Sequence, residues 1–229
     1  MTDFHTHILP GIDDGSQNVS QSLDMLRSLK QQGVDAVALT SHFYAKHENP
    51  ERFLSKRAAA FEALQSHLTP DLPATRLGAE VLYFRGISRS QSLPDLCLEG
   101  TRMLLLEMPA GKWTPFEVDE TLDLIRGGEV QVMLAHIDRY WLDQKSSVWD
   151  ALLNAGALFQ VNTGAFSVRR LCRPMLRLIA DRCVYALGTD CHDTAQRAPN
   201  VTDARDLILR RLGQEAWEHL DRRSFDDEW

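Results

Sequence analysis

A short apolar run, a polar turn and an amphipathic stretch recur along this 229-residue chain with no boundary between repeats. The apolar runs fall at 3–9, 36–43, 75–83, 102–108, 130–137, 157–162 and 184–188, with helical patterns at 19–32, 51–67, 118–126, 148–154 and 174–182. Short buried strands alternating with helices imply a parallel sheet, because each helical crossover returns the chain to the same end of the sheet. Seven such units favour a closed or nearly closed barrel over an open doubly wound sheet, and a single domain over residues 1–229. The first strand-to-helix turn, Leu9-Pro10-Gly11-Ile12-Asp13-Asp14-Gly15, is not a GxGxxG nucleotide loop. Gly33 and Gly156 stand where helix C-caps fall, and Pro50 and Pro174 near helix starts. Two last helical stretches, 202–212 and 214–222, are expected to pack outside the barrel. The end, 225–229, reads as an exposed acidic tail whose Trp229 has the means to dock on the body.

Histidines and carboxylates concentrate at the strand ends. His5 and His7 share one strand face by the period of two. His42 ends the second run, Glu80 lies late on the third, Glu107 ends the fourth, His136 ends the fifth, and Asp190 and His192 follow the seventh. In a parallel barrel those ends converge on one rim, where active sites of this architecture lie. A lone histidine at a strand end is usually a hydrogen-bonded structural residue, and a lone glutamate an ion-pair partner. The same anomaly at six of seven strand ends, inside runs as apolar as Met103-Leu104-Leu105-Leu106-Glu107-Met108, points instead to a metal site. His47, His67 and His219 fall in loops or helices and take the structural reading.

Composition narrows the function classes. No apolar run is long enough to span a bilayer, no signal peptide precedes the motif at Asp3, and four cysteines without a CxxC pair suit a reducing compartment, so a cytoplasmic protein without membrane insertion is expected. The net charge of −7 argues against a nucleic-acid surface. An anionic substrate would therefore need a local source of positive charge.

The stretch from Asp3 to Gly15, with Thr40-Ser41-His42, Gly78-Ala79-Glu80, Leu106-Glu107, Ala135-His136-Ile137-Asp138-Arg139-Tyr140, Gln160-Val161-Asn162 and Thr189-Asp190-Cys191-His192, resembles the polymerase-and-histidinol-phosphatase (PHP) superfamily. Within it the chain is similar to the bacterial capsule and exopolysaccharide metal-dependent protein-tyrosine phosphatases. The resemblance covers nearly the whole chain, in order. It implies a distorted, TIM-like (β/α)7 barrel binding three divalent metals: one on His5, His7, Glu80 and Asp190, a second on Glu80, Glu107 and His136, and a third on Asp14, His42 and His192. Asp14 is the aligned ligand, and its neighbour Asp13 is a supporting group. Arg139 and Arg197 match family arginines suited to phosphate oxygens. The implied activity is dephosphorylation of the phosphotyrosine-rich tail of a bacterial tyrosine autokinase that controls polysaccharide export.

Mixed imidazole and carboxylate ligands suit Mn, Fe or Zn, with Mn favoured. Three divalent ions bring about six positive charges and four ligating carboxylates remove about four, leaving a net of roughly +2 that attracts phosphate. A metal-activated hydroxide attacking phosphorus in line requires no covalent phosphoenzyme. Two alternatives stand: a small-metabolite phosphatase of histidinol-phosphate type on the same barrel, and a non-catalytic kinase-binding scaffold. Residues 43–50 and 109–115 are expected to line the mouth, with Trp113 either stacking on substrate or packing on a helix. Oligomeric state is left open. Cys191 to Arg197 fits the CX5R signature of cysteine-dependent tyrosine phosphatases, but it lacks the glycine that would let backbone amides wrap a phosphate and overlaps the Asp190–His192 pair, so Cys191 is read as incidental.

Overall fold

The computed structural model describes residues 1–225. Strand β1 (Thr2–Thr6) leads into helix α1 (Val19–Gln31), and β2 (Ala36–Leu39) and β3 (His42–Phe43) into α2 (Pro50–Gln65). The chain continues through β4 (Ala74–Leu77), β5 (Glu80–Leu82) and the short α3 (Leu93–Leu96) to β6 (Met103–Glu107) and α4 (Pro115–Gly127). Then follow β7 (Gln131–Leu134), α5 (Ser146–Ala155), β8 (Leu158–Asn162), α6 (Arg169–Ala180), β9 (Ala186–Gly188), α7 (Val201–Leu212) and α8 (Gln214–Asp221).

Among the described residues all strand pairs are parallel, in the orders β1-β2-β4 and β3-β5-β6-β7-β8-β9. The expected second and third strands are each split, at Thr40-Ser41 and at Gly78-Ala79, so nine strands among the described residues occupy seven barrel positions. The breaks follow from buried polar groups that take the backbone out of register. Thr40 Oγ1 accepts from Thr6 N (3.0 Å), and Glu80 N donates to Thr40 and Ser41 carbonyls (3.2 and 3.1 Å). The ring closes because β9 returns to β1: Asp190 N donates to His5 O (2.8 Å) and His7 N to Cys191 O (3.0 Å). The observed architecture is the distorted parallel barrel expected of the sequence.

Successive residues on a strand face opposite ways. On β6, Leu104 and Leu106 join the large core between barrel and helices, whereas Met103 and Leu105, which share a face with Glu107, join a second cluster with Ala38, Met133, Ala135 and Ala186. Phe225 completes that second cluster, edge-on to Phe4 at 5.2 Å and 7% exposed. The expected exposed tail is therefore corrected at Phe225, whose ring finds apolar cover; 226–229, with Trp229, lie outside the described residues.

Helix ends follow local chemistry. Gly33 and Gly156 follow helix ends at positive φ, as expected. Helix α4 starts earlier than its apolar pattern, at a Thr114/Glu117 capping box with Pro115 in the first turn. Pro174 is a correction: it stands inside α6, which begins at Arg169, and not at its start. No helix among the described residues is long and apolar enough to cross a membrane.

Candidate metal centre

Every candidate ligand named from the sequence reaches the same end of the barrel. His7, Asp14, His42 and His192 offer ligand atoms within 4.8 Å of one another, as do His5, His7 and Asp190, then His5, Glu80 and His136, and finally His42, Glu80 and Glu107. The groups share corners: His5, His7, His42 and Glu80 each belong to two, so Glu107 sits with His42 (3.9 Å) as well as with His136 (3.7 Å). All but Asp14, His42 and Glu107 are buried.

Two of the ligand-bearing residues adopt left-handed backbone, His136 at φ 31° and Asp190 at φ 53°. This region is uncommon for residues with a Cβ and is held only where surrounding contacts fix it. Both stand immediately past strand ends, where the turn swings the side chain over the rim. Gly188 is needed for a different reason: a Cβ there would lie 2.6 Å from His5 Cβ and 2.7 Å from Gln160 Nε2.

Hydrogen bonds fix how the imidazoles present themselves. The backbone N–H of His136 can only donate, and it donates to Gln160 Oε1 at 2.7 Å. That oxygen also stands 3.1 Å from His5 Nδ1, which therefore carries a proton. Asp13 does the same for His7: its carboxylate accepts from His7 Nδ1 (2.9 Å), from His42 N (3.0 Å) and from Gly15 N (3.0 Å). With both Nδ1 atoms so committed, His5 Nε2 and His7 Nε2 face each other at 3.1 Å. Glu80 Oε2 lies 3.1 and 3.2 Å from them, and Asp190 Oδ1 3.7 and 3.4 Å. With neither Nε2 protonated, two lone pairs oppose each other, and any proton placed between them makes an imidazolium, since both Nδ1 atoms already carry one. A divalent cation accepts both lone pairs and both carboxylates at once, so the donor set fits a metal ion. His42 Nδ1 approaches the same Glu80 oxygen at 2.9 Å, and His192 Nε2 is buried without a hydrogen bond.

Burial and the neighbouring charges act on the ligand candidates in opposite directions. Burial disfavours the Glu80 charge, yet His5, His136 and His42 around it hold its carboxyl well below the usual range, and His5 and His7 do the same for Asp190. Burial opposes protonation of His5 and His7, but the carboxylates beside them carry both above the ordinary imidazole value, so a cation binding at their Nε2 atoms displaces protons. Burial instead pulls His136 and His192 down to about 4, leaving neutral ligand-competent rings. Burial and the neighbouring Glu80 charge push Glu107 up to about 7.

Arg139 and Arg197 clamp the rim from the solvent side. Arg139 bonds Asp190 Oδ2 and lies 3.8 Å from Glu107, while Arg197 reaches Asp190 Oδ1 (3.1 Å) and Asp14 Oδ2 (3.4 Å). Each keeps two fifths of its side chain exposed while its guanidinium pairs with these carboxylates. Tyr44 stacks on His42 at 5.0 Å. Trp113 takes the packing alternative: it is 5% exposed, against Tyr140 and Trp149, with its indole N–H on Pro109 O. Cys191 is fully buried, and burial with the Asp3 charge drives its thiol well above the usual value, which removes it as a nucleophile.

The orienting role of Gln160 escapes sequence reasoning, although the residue stands in a recognised motif. A buried glutamine two residues before Asn162 in an apolar strand was the available signal. Asn162 extends the same network, accepting from Gln160 Nε2 (2.9 Å) and donating to Asp190 Oδ2 (3.0 Å).

A parallel barrel whose rim gathers buried imidazoles and carboxylates around one centre defines a class, the metal-site α/β barrels. The chain belongs to the capsular polysaccharide synthesis CpsB/CapC family, whose sequence model matches residues 1–224. It is similar to the tyrosine-protein phosphatase YwqE of Bacillus subtilis strain 168, 25% identical over 94% of this chain and 86% of that protein. It is also similar to the tyrosine-protein phosphatase CpsB of Streptococcus agalactiae, 24% identical over 96% and 94% respectively. Among solved structures, one from work on YwqE of Bacillus subtilis and CpsB of Streptococcus pneumoniae, described as unique metal-dependent tyrosine phosphatases, superposes with a TM-score of 0.81. That match covers 96% of this chain and 91% of the other at 23% identity, and shows a shared fold.

Proposed function

We propose that this protein is a metal-dependent tyrosine-protein phosphatase acting in the cytoplasm on the phosphotyrosine tail of a tyrosine autokinase in capsule or exopolysaccharide production. The observation that carries the reading is the opposed pair His5 Nε2 and His7 Nε2, 3.1 Å apart and faced by two carboxylates. Family membership and the named activity of the relatives supply the substrate class.

The residues that would hold the cations are His5, His7, Asp14, His42, Glu80, Glu107, His136, Asp190 and His192, with three divalent ions, Mn favoured. When bound, such ions supply positive charge to a phosphate dianion and lower the pKa of water enough to give a nucleophile at neutral pH. The chain's own residues do the rest. Gln160 and Asp13 hold the protons on the Nδ1 atoms of His5 and His7, which keeps both Nε2 atoms available as ligands. Arg139 and Arg197 present forks to the non-bridging oxygens and to the charge that develops there. A phenol leaving group, with a pKa near 10, needs less help from a general acid than an alkoxide does.

The test is cation analysis of the purified protein, with hydrolysis of a phosphotyrosine peptide and of histidinol phosphate measured before and after chelation. Loss of phosphotyrosine hydrolysis on chelation and its return with Mn is the expected result. Unchanged activity in cation-free protein overturns the mechanism, and preference for histidinol phosphate overturns the substrate class.

A further inference from the structure

Helix α6 opens Arg169-Arg170-Leu171-Cys172-Arg173, and its neighbour α7 ends in Arg210-Arg211-Leu212. A cavity of about 480 Å³ lies between these segments, lined by Arg169, Arg173, Arg211 and Ser167 with Phe166 as an apolar wall. Among the described residues, no acidic one lines it. Nearby arginines are paired, Arg177 with Asp181 (3.5 Å), Arg182 with Glu215 (2.8 Å) and Arg205 with Asp206 (3.4 Å). Among the described residues none of the three cavity arginines makes an ion pair. Three like charges held around one cavity repel one another, and in a chain of net charge −7 their concentration here is not a consequence of overall basicity.

The cavity's place in the barrel ties it to the metal centre. Helix α6 follows a 3-10 turn, Thr163–Ser167, that starts where β8 ends at Asn162, the residue whose amide touches Asp190. Five residues at about 2 Å rise and two more at about 3.5 Å set an upper limit of roughly 17 Å on the backbone distance from Asn162 to Arg169. An extended peptide of about five or six residues covers that length.

We propose that this cavity is a second binding site for the substrate polypeptide, holding acidic side chains about five or six residues from the phosphotyrosine. The inference rests on the phosphatase reading and deepens it: the rim performs the chemistry, and the arginine cavity selects acidic sequence context. Guanidinium forks bind carboxylates in pairs of hydrogen bonds, and Phe166 covers the methylene groups beside them.

The test uses the full chain loaded with Mn and a triple variant, Arg169→Ala/Arg173→Ala/Arg211→Ala, whose substituted positions are all exposed. Substrates are p-nitrophenyl phosphate and two sets of phosphotyrosine peptides, with glutamates or with glutamines five and six residues away on either side. The parent should favour a glutamate peptide about tenfold in kcat/KM, through KM, at two- to threefold per arginine. The triple variant, and the parent in 0.5 M salt, should keep less than a twofold preference, with p-nitrophenyl phosphate hydrolysis unchanged in the variant. No glutamate preference in the parent, or full preference in the triple variant, overturns the proposal. So does a triple variant that loses binding to phosphatidylglycerol vesicles while its peptide preference is intact, which assigns the cavity to a membrane surface. If the loaded parent hydrolyses no phosphotyrosine at all, the phosphatase reading fails separately. Fluorescence anisotropy of the labelled glutamate peptide then decides the cavity: weaker binding by the triple variant supports it, and equal binding overturns it.

Discussion

Replacing Gln160 by methionine removes one amide and leaves the shape of the side chain nearly intact. The amide makes three buried contacts: its oxygen accepts from His136 N (2.7 Å) and faces His5 Nδ1 (3.1 Å), and its nitrogen donates to Asn162 Oδ1 (2.9 Å). A thioether replaces none of them. Two buried donors lose their acceptor at about 1–3 kcal/mol each, so the fold should lose on the order of 2–6 kcal/mol. The chemical consequence is more specific. Without an acceptor at Nδ1, His5 has no reason to keep its proton there, and the Nε2–H tautomer is closed to a cation. Loss of such a supporting hydrogen bond typically weakens metal affinity by about 10–100-fold. The assay is competition for Mn or Zn against a chromogenic chelator, with folding followed by circular dichroism on the same samples. Because Gln160 acts largely through His5, the double variant His5→Ala/Gln160→Met should bind little worse than His5→Ala alone. A folded Gln160→Met protein whose cation affinity stays within threefold of the parent refutes the tautomer argument.

Three further outcomes are expected. Gly188→Ala drives a methyl group to 2.6 Å from His5 Cβ, so the melting temperature should fall by an amount corresponding to about 1–3 kcal/mol, with activity lost; a variant equal to the parent in both removes the steric argument. Cys191→Ser should keep at least half of the phosphatase activity, since the buried thiol is held in its neutral form, whereas a dead but folded variant would reinstate a cysteine nucleophile. Asp3 is buried and, chiefly through that burial, pushed up to about 6 against three stabilising hydrogen bonds. A raised carboxyl favours the folded protein while protonated, so its cost is absent below about pH 3.8, grows as pH rises towards 6 and is constant above. Asp3→Asn should therefore raise the unfolding free energy of the cation-free protein, read from denaturant titration, by on the order of 3 kcal/mol at pH 8 but not at pH 4. A stability difference that does not change with pH excludes Asp3 as the cause.

Much of this protein was legible along the chain because the signals are local. The alternation of apolar runs with helical patterns needs only neighbouring residues, and a parallel barrel follows from it. The parity of His5 and His7, and the repeated appearance of titratable residues where apolar strands end, needed no coordinates either. Such residues are costly in that setting unless something compensates them.

Other features depend on pairs far apart in sequence, and no local pattern encodes them. Gln160 orients His5 across 155 positions, and Asn162 reaches Asp190. The splits at Thr40-Ser41 and Gly78-Ala79 arise from hydrogen bonds to Thr6 and between adjacent strands, which exist only after the strands pair. Packing chose between the two places open to Trp113 by setting it against Tyr140 and Trp149, and it covered Phe225 with Phe4. Residue types therefore determined which chemistry was available to the chain, through local periodicity and the cost of burying charge. Tertiary structure decided which atoms meet and which proton each imidazole keeps, because those depend on distances that only the closed barrel creates.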